Sequence, residues 1–301
     1  MEDLPFLAVS APMVRYSKLP FRRLVKRHGV NLAFTPMIMA DSFVASEAAR
    51  NLELPLLASS SSPDDKDVVQ FASNDPAIFQ QASQMVAPYC RGVDLNCGCP
   101  QRWAMKEGLG SAMLYDEALV YSMVRQTALS IPVPVSVKVR LKSKDLLDTI
   151  TLVKGIRDAG AAMVTVHGRR PDQRPSDPVD YEAIRVIKEQ CTDVLVIANG
   201  DIFTRQDAIN VYENTNVDGV MAARGLLENP ALFSRFHIPR IDLAREYLSL
   251  AVPMGTTFHI AHHHVSKMLT EPGFGSLPSH LHKSFNALTS IPAILDFLDN
   301  Q

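Results

Sequence analysis

Short apolar segments alternate with longer amphipathic segments along most of the chain. The short segments favour strands and fall at residues 7–11, 32–37, 68–72, 93–96, 135–141, 163–167, 194–199 and 219–223. In the longer segments, apolar residues recur at three- and four-residue spacing, which predicts helices over residues 20–28, 76–87, 118–129, 146–159, 181–190 and 204–213. Strands that alternate with helices predict βαβ units and a parallel sheet.

Eight such units in a chain of 301 residues indicate an α/β fold of the (β/α)8 TIM-barrel type. An open, doubly wound sheet is the alternative. It is less consistent with the sequence, because no predicted strand is followed by a G-x-G-x-x-G turn. Residues 47–67, which include the sequence SSSSPDDKD, predict an exposed loop between two barrel units.

The alternation stops near Arg235, and the remaining chain predicts helices. Their sequences are IDLAREYLSLAV, FHIAHHHVSKML and HKSFNALTSIPAILDFL. A Pro- and Gly-rich loop, EPGFGSLP at residues 271–278, precedes the last of them. We therefore expect a barrel catalytic domain over residues 1–238 and a small helical domain over residues 239–301.

Composition and charge narrow the class of protein. The chain is 47% hydrophobic and 21% charged, which is ordinary for a globular protein. No apolar run is long enough to cross a bilayer, and the start, MEDLPFLAVSAPM, lacks the basic and apolar regions of a secretory signal. With only four cysteines, a disulfide framework is not expected, and we predict a cytoplasmic protein. The net charge of −2 disfavours a uniformly basic nucleic-acid binder but allows a local basic patch.

Polar and glycine residues collect at the predicted strand ends. In a barrel, the catalytic groups come from these carboxyl ends and the loops that follow them. The residues are Pro12 and Met13 after the first strand, Gln70 on the third, Asn96 and Cys99 after the fourth, Lys138 and Arg140 on the fifth, His167, Arg169 and Arg170 on or after the sixth, Asn199, Gly200 and Asp201 after the seventh, and Ala223, Arg224 and Gly225 after the eighth. Their shared position predicts one active site.

Two features of this set indicate a phosphate-bearing cofactor. The loops after the seventh and eighth strands form the common phosphate site of barrels, and Gly200 and Gly225 there allow backbone N–H groups to approach an anion. Lys138 lies within an apolar run, and a buried ammonium group needs a partner. That partner is either an electron-rich cofactor ring with its hydroxyl chain or a buried carboxylate.

The two cysteines of VDLNCGCPQRW raise a separate question. Cys97 and Cys99 are too close for an unstrained mutual disulfide, and the other cysteines and histidines 262–264 give no second ligand pair at zinc spacing. An iron–sulfur cluster would need more cysteines nearby, so no metal site is expected. Gly98 and Pro100 indicate that the strand has ended, which places Cys99 in a loop over the barrel mouth. A structural role for either cysteine remains open at this point.

NCGCPQ at residues 96–101, followed by GLGSAML at residues 108–114, resembles the signature of the dihydrouridine synthases, in which an N-x-G-C-P loop supplies the catalytic cysteine. Matching segments occur in the same order: APM at 11–13, VKVR at 137–140, VHGR at 166–169, NGDI at 199–202, and Arg224 with Asn229–Pro230. The resemblance covers nearly the whole chain and is closest to the fourth-type eukaryotic branch. Members of this family are FMN-containing barrels with a C-terminal helical domain, and they use NADPH to reduce uridine in tRNA to 5,6-dihydrouridine.

The resemblance implies a role for each matching residue. Cys99 would protonate C5 of the uracil ring while FMN delivers hydride to C6; a thiol stays protonated near neutral pH and can donate. FMN would be held by Pro12, Met13, Val14, Gln70, Lys138, His167, Asn199, Gly200, Asp201, Ala223 and Arg224. Substrate would be bound by Asn96, which orients the base, and by Arg140, Arg169 and Arg170. NADPH or NADH would be the reductant, the tRNA D-loop the target, and residues 239–301 the tRNA-binding domain.

Two details of the sequence bear on these roles. Ala223 stands where the family usually has glycine, a change that backbone contacts tolerate unless φ is positive. Six cations without an acid lie between Arg15 and His28, which suggests a phosphate-binding patch, with a solvated helix face as the alternative. Two other functions remain open: a flavin barrel that acts on a small pyrimidine or enone, and a tRNA-binding protein that lacks catalysis.

Overall fold

The structure, a computed structural model, describes residues 4–59, 65–270 and 277–301. The Pro- and Gly-rich loop expected at residues 271–278 lies outside the described residues except for its last two positions. Residues 60–64 of the loop expected at residues 47–67 also lie outside them.

All nine described strands are parallel and belong to one sheet, in the order β2-β1-β9-β8-β7-β6-β5-β4-β3. They are β1 (Leu7–Ser10), β2 (Leu32–Ala33), β3 (Ile38–Met39), β4 (Val68–Ala72), β5 (Gly92–Cys97), β6 (Val135–Arg140), β7 (Met163–His167), β8 (Leu195–Asn199) and β9 (Gly219–Ala222). Each of the eight predicted strands overlaps one of these. The second, predicted over residues 32–37, overlaps β2 alone, and β3 begins one residue beyond its predicted end.

The two short strands β2 and β3 close the barrel between them. β2 pairs with β1, while β3 pairs with β4. Between them, Phe34 forms a parallel bridge with Val68, and the Thr35 N–H donates to the Val68 carbonyl at 2.9 Å. Pro36 has no N–H to contribute to a ladder, which explains the interruption. The predicted TIM-barrel fold is confirmed, with its second strand in two pieces.

Helices follow the strands, as expected for βα units. They are α1 (Leu19–Arg27), α2 (Ala40–Ala45), α3 (Glu47–Ala58), α4 (Pro76–Val86), α5 (Arg102–Lys106), α6 (Glu117–Ala128), α7 (Leu146–Asp158), α8 (Tyr181–Gln190), α9 (Arg205–Thr215), α10 (Arg224–Glu228), α11 (Arg240–Ala251), α12 (Phe258–Thr270), α13 (Ser279–Asn286) and α14 (Ile291–Asp299). The six predicted helices correspond to α1, α4, α6, α7, α8 and α9. Asp75, Asp116, Asp145, Asp180 and Thr204 cap the starts of the last five of these with their side chains.

The prediction of an exposed loop over residues 47–67 was wrong for its first half, where the chain forms α3. The Ser46 hydroxyl accepts from the Ala49 N–H and so caps the first turn. Pro55 lies inside the helix, where it removes one backbone hydrogen bond, and it lowers the helical signal of the sequence. Only Leu57 of α3 is fully buried, so apolar periodicity was also weak.

Apolar residues form two clusters on either side of the sheet. The larger cluster lies between strands and helices and includes Phe21, Phe43 and Phe79. The smaller cluster includes Val9, Phe34, Val68, Ile197 and Met221 and fills part of the barrel interior. The interior at the carboxyl ends of the strands is polar instead, which prepares a site there.

Of the C-terminal helices, α11 and α12 pack against α1, and α13 and α14 pack on α11 and α12. His264 on α12 is fully buried, and its Nε2–H donates a hydrogen bond to the Tyr16 carbonyl at 3.1 Å. Glu246 on α11 contacts both Arg27 and His28 at the end of α1, at 3.0 and 2.7 Å. The first two helices expected in this region are present as α11 and α12, whereas the third expected segment, residues 282–298, is interrupted at residues 287–290 and forms parts of α13 and α14. The division at residues 238 and 239 stays a prediction.

A buried ion pair attaches α1 to the chain just before β4. Asp67 accepts from Arg22 Nε at 2.6 Å and contacts Lys26 Nζ at 2.8 Å, and both Asp67 and Arg22 are buried. The guanidinium group also donates to the Ser17 carbonyl. Because removal of the carboxylate would leave a buried guanidinium without its counter-charge, this contact is structural.

We predict that Asp67→Ala lowers the free energy of unfolding by roughly 3–5 kcal/mol, because it leaves that uncompensated buried charge. Denaturant titration measures the change. Asp242→Ala is the matched control, since its carboxylate meets Arg245 at the surface. That change should cost less than about 1 kcal/mol. Equal effects of the two substitutions would contradict the structural role of Asp67.

Candidate active site

The carboxyl ends of the barrel strands open into two adjoining cavities, of about 390 and 290 Å³. The first, the cysteine cavity, is lined by Pro12, Met13, Val14, Gln70, Asn96, Cys99 and Lys138. The second, the glycine cavity, is lined by Arg169, Asn199, Gly200 and Asp201. Arg140, His167, Ala223 and Arg224 line both. The structure therefore brings together every predicted site residue except Arg170.

Arg170 lies elsewhere, in a separate cavity that Lys144 and Glu182 also line. Its guanidinium group contacts Asp172, with 3.2 Å between Nε and Oδ1. Its carbonyl does reach the site, because it accepts from Arg140 Nη1 at 3.3 Å. The predicted part of its side chain in substrate binding stays a prediction.

The two cysteines of the motif have different surroundings. Cys97 ends β5 and is buried in the cluster between strands and helices, where burial raises the pKa of its thiol. Cys99 is half-buried and lines the cysteine cavity. This geometry answers the question that the sequence left open: of the two thiols, Cys99 is the one that a ligand can reach.

The second part of the motif packs directly against Cys99. Gly110 has φ of +61°, and a Cβ at that position would lie 2.5 Å from the Cys99 carbonyl oxygen and 2.8 Å from the Cys99 Cβ. The Ser111 N–H donates to the same carbonyl at 2.9 Å. Only glycine fits at Gly110, both in conformation and in space. The segment GLGSAML therefore packs against the cysteine loop and holds its backbone in place.

Asn96 holds the cysteine loop from the strand side. Its side-chain oxygen accepts from the Gly98 N–H at 3.1 Å and from the Cys99 N–H at 3.0 Å. Its amide nitrogen donates to Gln70 Oε1 at 2.8 Å. The predicted contact of Asn96 with the base stays a prediction, and the structure adds that this residue shapes the loop.

Sequence reasoning missed two buried residues beneath Asn96 in the barrel interior, Asp94 and Ser136. Asp94 is fully buried, and its carboxylate accepts from Gln70 Nε2 at 2.8 Å and from the Ser136 hydroxyl at 2.6 Å. Burial raises the pKa of Asp94 to about 6, although both hydrogen bonds oppose that rise. The available signal was the acid Asp94 in the mainly apolar segment VDLNC. Asp94 lies two residues before Asn96 and so on the same face of the strand.

Lys138 has an amide as its hydrogen-bonding partner. Its ammonium group donates to Asn199 Oδ1 at 2.9 Å, and the Asn199 amide nitrogen donates to the Met221 carbonyl at 2.9 Å. Burial, and then the nearby charge of Arg140, lower the pKa of Lys138 to about 8. Among the described residues, no carboxylate forms an ion pair with Lys138. A buried carboxylate in direct contact is therefore not what the structure shows, although the nearby charge of buried Asp94 opposes the lowering of the Lys138 pKa.

His167 is a neutral imidazole throughout the physiological pH range. Burial lowers its pKa to about 2, and the charges of Lys138 and Arg140 act in the same direction. Its Nε2 lies 3.4 Å from Arg169 Nη1. Since the guanidinium group can only donate, Nε2 is the acceptor in this contact and Nδ1 carries the proton.

Tight packing requires the two glycines of the glycine cavity. Gly200 has φ of +136°, and a Cβ there would lie 2.8 Å from a Val179 methyl group. At Gly225, a Cβ would lie 2.2 Å from the Ile202 carbonyl oxygen. Ala223, by contrast, has φ of −121°, so no positive φ disfavours alanine there. Alanine is tolerated at this position as long as φ is not positive, and this requirement is met.

Three guanidinium groups and one carboxylate line the glycine cavity. The carboxylate, Asp201, pairs with Arg169 and also accepts from Arg224 Nη2 at 2.9 Å. Arg224 is half-exposed and lies over the Phe203 ring, 5.2 Å from its centre. Because the positive charges exceed the negative, this cavity favours a phosphate.

Most cations of the α1 segment are already paired. Lys18 contacts Glu53 at 3.1 Å, Arg22 and Lys26 contact Asp67, and Arg27 contacts Glu246. Three carboxylates from other parts of the chain thus offset part of the positive charge of the six cations, and the predicted phosphate-binding patch stays a prediction. The expected alternative, a solvated helix face, does not describe it fully either, because Arg22 is buried.

A parallel barrel with a thiol, a lysine and an anion-binding cavity at its strand ends defines an enzyme of the TIM-barrel class. Residues 9–293 match the family model described as dihydrouridine synthase, so the chain belongs to the dihydrouridine synthase family of oxidoreductases. The resemblance drawn from the sequence motifs is confirmed.

Similar proteins are known from several eukaryotes. The chain is 41% identical over 294 residues to the "tRNA-dihydrouridine(20a/20b) synthase [NAD(P)+]-like" protein of Mus musculus, with 96% of this chain and 87% of the relative covered. It is 42% identical over 291 residues to an uncharacterized tRNA-dihydrouridine synthase-like protein of Caenorhabditis elegans, covering 96% and 99%. It is 36% identical over 293 residues to the tRNA-dihydrouridine(20a/20b) synthase of Schizosaccharomyces pombe, covering 97% and 86%.

Two negative findings apply to the described part of the chain alone. Among those residues, no cluster of His, Cys, Asp or Glu side chains is placed to hold a metal ion. Within the same residues, no helix has the length and apolar character needed to span a membrane.

We predict that Lys138→Met raises the free energy of unfolding of the ligand-free protein by roughly 1 kcal/mol, because it removes an ammonium group that burial disfavours. The gain should be complete below pH 8, where folded and unfolded chains both carry the charge. It should shrink as the pH rises from the folded pKa of about 8 toward the ordinary value of 10.5. Thermal unfolding at pH 7 and pH 10 measures this difference.

Lys144→Met, at an exposed position, is the matched control and should change stability by less than about 0.5 kcal/mol. A destabilised Lys138→Met protein, or a gain that grows with pH, would show that the ammonium group is well accommodated in the ligand-free fold.

Proposed function

We propose that this protein reduces uridines in the D-loop of tRNA to 5,6-dihydrouridine, with FMN as bound cofactor and NADPH or NADH as reductant. Family membership supports the reaction, and the names of similar proteins contain both tRNA-dihydrouridine synthase and NAD(P)+. The observation that carries the proposal is the position of Cys99, whose half-buried thiol lines the same cavity as Gln70 and Lys138. A proton donor thus stands beside the residues that we assign to the cofactor.

The residues at the strand ends fit FMN. Lys138 presents an ammonium group to the cavity with an amide as its protein partner, so an electron-rich ring would complete its surroundings. Gly200 and Gly225 line the glycine cavity, where a Cβ would strike neighbouring protein atoms, and Arg224 lines the same cavity and would bind a phosphate. Pro12, Met13 and Val14 would form a wall of the ring site. When bound, reduced FMN supplies the hydride that C6 of the uracil ring accepts.

Cys99 would complete the reduction as a general acid. The Sγ–H bond breaks, the proton goes to C5, and the C5=C6 double bond becomes a single bond. The thiol then regains a proton from water through the open cavity. Per uridine, one reduced nicotinamide and one proton are consumed. Asn96 and Gly110 serve this step because they fix the backbone on both sides of the loop.

The substrate base must leave its stack to reach this cavity. A tRNA loop is the favourable target, since its bases unstack at low cost. Arg140 and Arg169, which we assign to substrate binding, also support the cavity wall: Arg140 donates to the Gly98 carbonyl at 2.9 Å, and Arg169 pairs with Asp201.

We further propose that residues 239–301 bind tRNA. Support comes from the contact of His264 on α12 with the backbone of Tyr16, because Tyr16 lines the cysteine cavity. RNA bound along these helices would therefore lie next to the entrance of the site.

Anaerobic absorbance spectroscopy tests the proposed function. We predict a flavin spectrum that bleaches with NADPH and returns when unmodified tRNA is added, but not when free uridine or an enone is added. Return with a free pyrimidine or enone alone would favour a small-molecule reductase. A colourless protein that FMN does not reconstitute, yet which binds tRNA, would favour RNA binding without catalysis.

We predict that Cys99→Ala retains FMN and its reduction by NADPH but loses at least about 100-fold in the rate of flavin reoxidation by tRNA, because the general acid is absent. Stopped-flow absorbance measures both half-reactions. Cys97→Ala is the matched control two residues away, and it should stay within a few-fold of wild type because Cys97 faces away from the cavities. An unchanged reoxidation rate in Cys99→Ala would rule out this thiol as the acid.

A further inference from the structure

Three polar side chains lie side by side inside the barrel, below the cysteine loop. Gln70 on β4 is in register with Asp94 on β5, and Asp94 is in register with Ser136 on β6. All three are buried. Asp94 occupies the centre of this row, with one carboxylate oxygen bonded to Gln70 and the other to Ser136. Nothing in the reaction proposed above uses Asp94 directly.

The carboxylate of Asp94 determines which way the Gln70 amide faces. An ionised carboxylate only accepts hydrogen bonds, so Gln70 must turn its NH2 group toward Asp94. The Gln70 oxygen then faces Asn96 and accepts from its amide nitrogen. Asn96 in turn must point its oxygen toward the loop, where it accepts from the N–H groups of Gly98 and Cys99. Each bond in this chain fixes the direction of the next one.

If the side-chain amides of Gln70 and Asn96 were flipped, hydrogen bonding would fail at both ends of this row of bonds. A flipped Gln70 would place its oxygen against the Asp94 carboxylate, with two acceptors and no proton between them. A flipped Asn96 would place its NH2 group against two backbone N–H donors. Unpaired polar groups in a buried position are costly, so the loop would shift to relieve them.

We propose that Asp94 is a positioning residue which, through Gln70 and Asn96, orients the backbone of the cysteine loop and so the Cys99 thiol. The proposal rests on the proposed function, in which Cys99 is the acid and Gln70 contacts the cofactor. Gln70 lines the cysteine cavity, so the row of hydrogen bonds passes through a residue assigned to the cofactor before it reaches the loop that carries the proton donor.

The test compares Asp94→Leu with the isosteric Asp94→Asn at pH 8. Asparagine can accept from Gln70 with its oxygen while its nitrogen donates to Ser136, whose hydroxyl acts as donor or acceptor. We expect Asp94→Asn to stay within about fivefold of wild type. Asp94→Leu should slow flavin reoxidation by tRNA at least about tenfold, a loss in the range expected for a misplaced catalytic group. Reduction of the flavin by NADPH should change less than twofold in both variants.

The alkylation rate of Cys99 by iodoacetamide, followed by mass spectrometry, reports the position of the thiol without any redox turnover. Asp94→Leu should change this rate at least threefold, and Asp94→Asn should leave it unchanged. This readout separates the two proposals. If wild-type protein fails to react with tRNA, the proposed function is lost, while the alkylation pattern still decides the role of Asp94.

A second pair of variants covers the case in which Asp94→Leu does not fold. Gln70→Met removes the middle member of the row of hydrogen bonds and should change the Cys99 alkylation rate at least threefold. Ser136→Ala removes only the other bond to Asp94 and leaves the bonds from Asp94 through Gln70 to Asn96 in place, so it should stay within about twofold of wild type. Wild-type alkylation in Gln70→Met, equal loss in Asp94→Asn and Asp94→Leu, or equal slowing of both flavin half-reactions would each overturn the proposal.

Discussion

Polar side chains inside the barrel need hydrogen-bonding partners, and this constraint organises the site. One chain of bonds runs from Asp94 through Gln70 and Asn96 to the cysteine loop. A second runs from Lys138 through Asn199 to the backbone of β9. The first begins in the interior and ends at the cysteine cavity, whereas the second ties the Lys138 ammonium group, which lines that cavity, to the backbone. Polar side chains at the carboxyl ends of the strands thus replace an apolar layer. Their hydrogen bonds fix the orientations of the residues that would contact ligands.

Burial acts on the two ionisable groups of this interior in opposite directions. It raises the pKa of Asp94 and lowers that of Lys138, so both approach the physiological range from opposite sides. Neither group has the other as a hydrogen-bonding partner; each is bonded to amides or hydroxyls instead. The barrel therefore holds two charges apart for separate tasks, at some expense in stability, where a direct ion pair would have neutralised both.

The barrel and the site could largely be predicted from sequence because parallel strands end at the same edge. Gln70, Lys138 and Asn199 were found by their position at strand ends, and the register places them together. Contacts between distant segments could not be predicted in this way. The partners of the α1 cations come from positions 35 to 219 residues away, so those cations looked unpaired. Asp94 was hidden for a related reason, since its partners lie on neighbouring strands. The start of α3 was missed because Pro55 outweighed the capping signal of Ser46.

Because the second strand is interrupted, the barrel has a weakly paired seam at β2 and β3. Strands β5 and β6 share a five-residue ladder, whereas β3 joins β4 through only two paired residues next to the Phe34–Val68 bridge. Local opening requires the fewest broken backbone bonds at this seam, so fluctuations concentrate there. Met37 within the seam lines the cysteine cavity, and the Thr35 hydroxyl accepts from the Gln70 N–H. We therefore expect the cavity wall at this seam to move more readily than the wall formed by β5 and β6. The cavity can then widen for a bulky ligand while the ladders that hold Cys99 and Lys138 stay paired.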